Sequence, residues 1–362
     1  RVFYLWDFGV TNQLDSGFKQ TLKWDIPLLE GHDYEFVPND SPAPGTHHFW
    51  GLQNPTLYQK VINYQPDAVL LMSYNYASLY QFLWLWRSKK IPLLFRGDSH
   101  RLFVKPSPKE WLKRLWISFI YHRFSAFLHV GKANYNYFQY HGVPAEKLFF
   151  SPHCIDNDRF EAARLLATKE AYQWKQELNI PLSHQVVLFV GKFESKKRPI
   201  DLLRAFVTAK LKNVSLLFVG SGSLEQELKI LALKQRNVFF APFQNQTQMP
   251  RTYLVSDLVV LPSYGLGETW GLAINEAMIL ARPVIVSSHV GCAQDLVCPY
   301  ENGLIFPAGD VKALGNALEE AFSDPIRLRR WGQSSYKTIQ NYSYKQATQG
   351  LLEALAALKV MK

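Results

Sequence analysis

Five apolar runs recur through the second half of the chain: QVVLFVG (185–191), VSLLFVG (214–220), DLVVLP (257–262), PVIVS (283–287) and GLIFP (303–307), separated by helix-length stretches. A strand without a polar face must be covered on both sides, so these runs predict a parallel sheet sandwiched by helices. The first half repeats the β/α rhythm with PDAVLLM (66–72), PLLF (92–95) and AFLHV (126–130). The 362 residues are more than one hydrophobic core usually organises, which predicts two α/β domains. A polar, helix-prone segment from Asn157 to His184, punctuated by Pro152 and Pro181, reads as the connection between them, with the boundary near residue 165. From Ser343 onward, Leu351, Leu352, Leu355 and Leu358 follow a helical period and predict a helix packing back on the first half.

Several classes are excluded. Hydrophobic residues at 48% against 19% charged are the balance of a folded globule, not a disordered chain. Cys154, Cys292 and Cys298 are an odd number at no ligand spacing, which argues against a disulfide framework or structural zinc and fits a reducing compartment. The richest apolar stretch, Leu79 to Trp86, runs into Arg87, Lys89 and Lys90 and is too short to span a membrane. No signal-peptide pattern follows Arg1, and an initial Arg is expected of a truncated or processed chain. The net charge is +10, and residues 86–132 carry eleven Lys and Arg against Asp98 and Glu110, 11 − 2 = +9.

Facing parallel domains place ligands at the carboxyl ends of their strands. After the 185–191 run, GKFESKKRP clusters Lys192, Lys196, Lys197 and Arg198 before a helix starting near Ile200, an arrangement suited to a phosphate or to a solvated basic loop. GSGS (220–223) allows close backbone approach to a ligand through Gly220 and Gly222, or simply a tight turn. The segment PSYGLGETWGLAINEAMILARPVIVSSHVG (262–291) enters a helix whose first turn presents N–H groups around Trp270, Gly271 and Leu272. Glu268 and Glu276 lie eight residues apart, about 12 Å at the helical rise, the length of a sugar diphosphate with its ribose. One carboxylate would then grip sugar hydroxyls and the other ribose hydroxyls. The plain alternatives are a helix-dipole charge at Glu268 and a surface charge at Glu276.

Glu268 through Glu276, followed by ARPV, resembles the carboxyl-terminal signature of family 4 retaining glycosyltransferases. Gly191, Lys192, Phe193 and Lys197 occupy the places of that family's glycine, basic residue and lysine, with Lys for the usual Arg. LLFVGSGSLEQELK, YLVSDLVVLPS, HGVPAEKLFFSPHCIDNDRF and SYKQATQGLLEAL are similar to further family segments, so the likeness covers roughly residues 125 to 360. It implies a GT-B fold: an acceptor domain over 1–165 with its first strand missing, a donor domain over 166–342, and a returning helix over 343–362. It also implies transfer of a hexose from a nucleotide-diphosphate sugar, UDP- or GDP-linked, to a glycan or lipid-linked acceptor with retention. No metal or other cofactor is expected, because Lys192, Lys197 and the amides near Trp270 would neutralise the leaving diphosphate.

The implied catalytic residues are His100, Glu268 and Lys197. The implied donor-binding residues are Lys192, Lys197, Gly220, Gly222, Glu268, Thr269, Trp270, Gly271, Leu272 and Glu276. Asp98 and Arg96 rival His100 at the end of PLLF, and either Asp98 or Ser99 could merely cap a turn. Asp156 and Asp158 form a DxD string that at this hinge is expected to cap or turn the chain. Asp7 and Gly9 are candidates for lining the cleft. An inactive relative that binds nucleotide or membrane, and a nucleotide-sugar epimerase, are the competing readings.

In KPSPKEWLKRLWISFIYHRF (105–124), Trp111, Leu112, Leu115, Trp116 and Phe119 recur near helical spacing among Lys109, Lys113, Arg114 and Arg123. Such a helix suits an anionic membrane surface, and one of its faces is expected in the domain core as well. No nucleic-acid module accompanies the charge, so no nucleic-acid partner is expected. The expected location is cytoplasmic, with peripheral association at the inner face of the cell membrane.

Overall fold

The computed structural model describes residues 1–15, 17–87 and 90–359; Lys89 and the last three residues of the returning segment lie outside the described residues. The chain opens with β1 (Val2–Tyr4), a hairpin of antiparallel β2 (Gln13–Asp15) and β3 (Gln20–Leu22), and β4 (Tyr34–Phe36), which pairs in parallel with β1. There follow α1 (Leu57–Tyr64), β5 (Val69–Met72), α2 (Ala77–Trp86), β6 (Leu93–Arg96), α3 (Pro108–Tyr121), β7 (Ala126–His129), α4 (Lys132–Tyr140) and β8 (Leu148–Phe150). Strands β5 to β8 form a parallel sheet in that order.

A single helix, α5 (Asn157–Glu177), leads into the second sheet, and residue 165 lies along it. Asp156 caps this helix, its carboxylate accepting the Arg159 N–H at 3.0 Å. The second half runs β9 (Gln185–Val190), α6 (Pro199–Thr208), β10 (Val214–Val219), α7 (Glu225–Ala232), β11 (Val238–Ala241), α8 (Met249–Leu254), β12 (Leu258–Leu261) and α9 (Leu272–Ile279). It ends with β13 (Val284–Ser287), α10 (Ala293–Leu296), β14 (Gly303–Phe306), α11 (Val311–Phe322), α12 (Pro325–Ile339) and α13 (Tyr344–Ala357). Its six strands are all parallel, ordered β11-β10-β9-β12-β13-β14. The order reverses between β9 and β12, which opens a crevice at their carboxyl ends.

Apolar side chains cover both faces of the six-stranded sheet, as its uninterrupted apolar strands require. One face of the four-stranded sheet carries an aromatic core with Phe82, Phe95, Phe127 and Phe138. On its other face Leu94, Ala126 and Leu128 meet Leu351, Ala354, Leu355 and Leu358 of the returning α13. Leu352 points away and is exposed. The chain thus crosses between the halves twice, and the crossings touch: Ser151 Oγ donates to the Ala347 carbonyl at 2.9 Å, and Asn157 Nδ2 to the Tyr342 carbonyl at 3.3 Å.

Helix α3 has one face in the domain core, as expected, but the residues of that face are not those of the aromatic stripe. The face that enters the core carries Ile117, Ile120 and Tyr121, whereas Trp111, Leu112, Leu115, Trp116 and Phe119 all point outward. Both sides of the helix are apolar, and Ile117, Ile120 and Tyr121 are the side chains that join the aromatic core.

Candidate active site

Two loops meet at the carboxyl ends of β9 and β12. The first, after β9, is basic; it turns through Glu194 to Lys197 and enters α6 at Pro199. The second follows β12 and reaches α9 through Gly271, whose φ of +101° favours glycine. Backbone joins them, the Tyr264 N–H donating to the Lys196 carbonyl at 2.8 Å.

Across this joint the Lys197 ammonium donates to Glu268 Oε2, which also accepts the Ser263 hydroxyl at 2.7 Å. Glu268 is buried to 9% exposure, so its charge depends on these two donors. The loop after β6 reaches the same place from the other domain. His100 Nδ1 accepts the Leu102 N–H at 3.4 Å, which assigns the proton to Nε2 and lets it donate to the Glu268 carbonyl at 3.4 Å. Burial pushes the His100 imidazolium below its ordinary range, against the Glu268 carbonyl and Asp98, so the ring is neutral near pH 7. Thr269 Oγ1 donates to Asp98 Oδ2 at 2.7 Å, and His153 Nε2 lies 3.5 Å from the same oxygen. Burial raises the Asp98 carboxyl, but the His153 and Thr269 hydrogen bonds hold it below its usual value. Arg96 turns away, donating to the Ser151 and Pro152 carbonyls at 3.2 and 2.9 Å, and pins the first crossing.

His100, Lys197, Glu268 and Thr269 therefore share one spot between the sheets. Lys192 sits beside it under the N-terminal hairpin, bound to Asp15 at 2.8 Å, with Phe18 below its ammonium at 4.9 Å. Burial raises the Asp15 carboxyl, but the Lys192 hydrogen bond and charge together with the Phe18 and Gly17 N–H groups outweigh it and keep Asp15 below its ordinary value. The hairpin is anchored further by Ser221 donating to the Phe18 carbonyl at 2.9 Å, Phe18 packing edge-on to Phe243 at 4.7 Å, and Thr247 N–H donating to Asp25 at 3.0 Å. Two residues before Asp15, Gln13 lines a cavity of about 780 Å³ with Trp6, Asp7, Val10 and Asn39. Gly9 packs under Trp24 next to it.

Other expected positions play structural parts. A methyl on Gly220 would sit 2.1 Å from the Gly191 carbonyl oxygen, and one on Gly222 would sit 2.7 Å from Phe193 backbone atoms, so both glycines let strand ends touch. Trp270 is buried, its indole donating to Asn275 Oδ1 at 2.8 Å, while Asn275 Nδ2 donates to the His153 carbonyl at 3.0 Å. The first helical residue is Leu272, half-exposed at the start of α9, so the Glu268 to Glu276 interval is part loop and its span is not a straight helical rise.

Glu276 lies inside α9, where the Tyr253 hydroxyl donates to Oε2 at 2.6 Å. Burial pushes its carboxyl up to about 7, against the Tyr253 hydrogen bond and the Arg159 charge. Asp15, Phe18, Ser263 and Tyr253 had no local signal in the sequence, because only the folded chain brings them to their partners.

The chain's fold matches solved glycosyltransferase structures over most of its length. These include Anabaena HepE in complex with UDP and glucose, at a TM-score of 0.68, 20% identity, and coverage of 90% of this chain and 86% of that one. Another is sucrose-phosphate synthase from Thermosynechococcus elongatus, at 0.66, 21% identity, and 84% and 78% coverage.

The fold is GT-B.

As a GT-B chain it places the crevice between β9 and β12 opposite the carboxyl end of β6, where Lys197, Glu268 and His100 meet. Residues 171–338 match the family model described as glycosyl transferases group 1. A D-inositol 3-phosphate glycosyltransferase from Segniliparus rotundus is 29% identical over 228 residues, 60% of this chain and 49% of that protein. One of the same description from Rhodococcus opacus is 32% identical over 182 residues, 47% and 40%. The chain spans about half the length of the curated relatives it matches, or less.

Proposed function

We propose that this protein is a retaining, metal-independent glycosyltransferase that moves a hexose from a UDP- or GDP-linked donor to a glycan or lipid-linked acceptor at the cytoplasmic face of a membrane. The observation that carries the reading is the buried Glu268 carboxylate held by Lys197 and Ser263 where His100 arrives from the facing domain. The match to glycosyl transferases group 1 and the UDP and glucose bound to the HepE relative support a nucleotide-sugar donor.

In this reading Lys192 and Lys197 hold the diphosphate and stabilise the charge that develops on it. Glu268 orients the sugar hydroxyls. The Nε2–H of neutral His100, which rests on the Glu268 carbonyl, hydrogen-bonds a sugar hydroxyl oxygen when the donor is bound, with no transfer of its proton. Glu276 accepts from the ribose hydroxyls. The acceptor oxygen bonds to the anomeric carbon as the carbon–oxygen bond to the diphosphate breaks, and the acceptor proton passes to the departing phosphate oxygen on the same face. The cavity at Trp6, Asp7 and Asn39 combines an aromatic face with hydrogen-bonding side chains, the chemistry suited to an acceptor sugar.

Thermal unfolding with UDP, GDP and ADP and their sugar derivatives, each with and without EDTA, tests the reading, since a ligand of the native state raises the midpoint. A chelator-independent rise with UDP or GDP compounds is expected, together with slow hydrolysis of the matching donor. No rise with any nucleotide would overturn it, and interconversion of free nucleotide sugars without transfer would indicate an epimerase instead.

A further inference from the structure

Helix α3 carries two apolar faces and buries only one. Ile117, Ile120 and Tyr121 enter the aromatic core, while Trp111, Leu112, Leu115, Trp116 and Phe119 are each half or more exposed. The exposed face does not end with the helix. Trp116 packs on Phe119 and stacks against Tyr80 of α2, to which its indole donates at 3.0 Å, and Tyr80 meets Phe49 edge-on at 5.3 Å. Trp84, one turn beyond Tyr80 on α2, is also exposed. A connected apolar surface of this kind on a water-soluble domain marks a place where water is displaced by a partner.

The charges decide which partner. Lys109, Lys113 and Arg114 are exposed within the apolar stripe itself, Arg87 lies over the Trp84 ring and Arg123 over Phe119. Glu110 is the one acidic residue of α3, and it is already paired with Lys113 at 3.7 Å. The centre of a protein interface is depleted of charge, whereas interleaved cations and indoles match the boundary between anionic headgroups and acyl chains. We propose that the α2–α3 face of the first domain docks on an anionic phospholipid bilayer, with the aromatic stripe in the headgroup layer and the cations on lipid phosphates. This deepens the membrane clause of the proposed function and rests on that reading. Its readout is lipid binding, so a failed donor assay and a failed docking assay are told apart.

The test is sedimentation of the full chain with phosphatidylcholine vesicles, with and without about one-third phosphatidylglycerol. Strong binding to the anionic vesicles alone is expected, weakening as salt is raised. The variant combining Trp111→Ser, Leu115→Ser and Phe119→Ser, and the variant combining Lys109→Glu and Lys113→Glu, should each bind at least about tenfold more weakly. Both should keep the wild-type melting midpoint, because all five side chains are exposed. Equal sedimentation of wild type and variants, or none with either vesicle, would overturn the proposal. So would a wild-type dimer in light scattering that the apolar variant dissociates, since a second copy would then cover this face.

Discussion

Asp15 and Lys192 stand 177 positions apart, yet the two oxygens of the carboxylate hold the ammonium at 2.8 and 3.0 Å across the cleft. The lysine proposed to meet the donor diphosphate is thus already bound by an anion from the facing domain. A diphosphate arriving there competes with Asp15. Asp15→Asn is expected to tighten UDP or GDP binding by up to about fivefold, the range of a partly exposed pair, measured by calorimetry.

Lys197 and Glu268 behave as a unit. Lys197→Ala leaves the Glu268 carboxylate buried with only the Ser263 donor, and it removes charge from the leaving group. Donor turnover is expected to fall about a hundredfold or more while nucleotide affinity falls much less, as read from steady-state hydrolysis beside a binding isotherm.

Glu276 provides a pH signature. A carboxyl raised from 4.5 to about 7 keeps its proton in the fold between those values and loses it in the unfolded chain, so its ionisation costs stability as pH climbs through that window. Ribose hydroxyls, by contrast, need the ionised form as acceptor. Nucleotide affinity should rise about tenfold between pH 6 and 8, and Glu276→Gln should flatten that rise.

Gly220→Ala tests whether this glycine serves packing. Its φ of +138° and the 2.1 Å approach to the Gly191 carbonyl leave no room for a methyl group. The substitution is expected to destabilise the fold by about 3 kcal/mol, seen as a lower urea midpoint with an unchanged m-value.

Strands β9, β10, β12, β13 and β14 were legible in the sequence because burial on both faces leaves an uninterrupted apolar run. The hairpin of β2 and β3 was not, since three-residue strands carry too little periodicity to register. The basic loop and the Glu268 segment stood out through local composition, whereas Asp15, Ser263 and Tyr253 act on partners that only the folded chain brings near. The basic, aromatic stripe of α3 was legible from its spacing, whereas its core face of Ile117, Ile120 and Tyr121 was not, because the larger stripe outweighs those three residues in any amphipathic reading.

The two crossings between the domains run side by side, tied by the Ser151–Ala347 and Asn157–Tyr342 hydrogen bonds. A single strand would let one half swivel freely on the other. Two straps tied at these points resist that torsion of one half on the other. The double strap thereby fixes the register of the β6 loop against the loop after β12, the register that sets His100 against the Glu268 carbonyl.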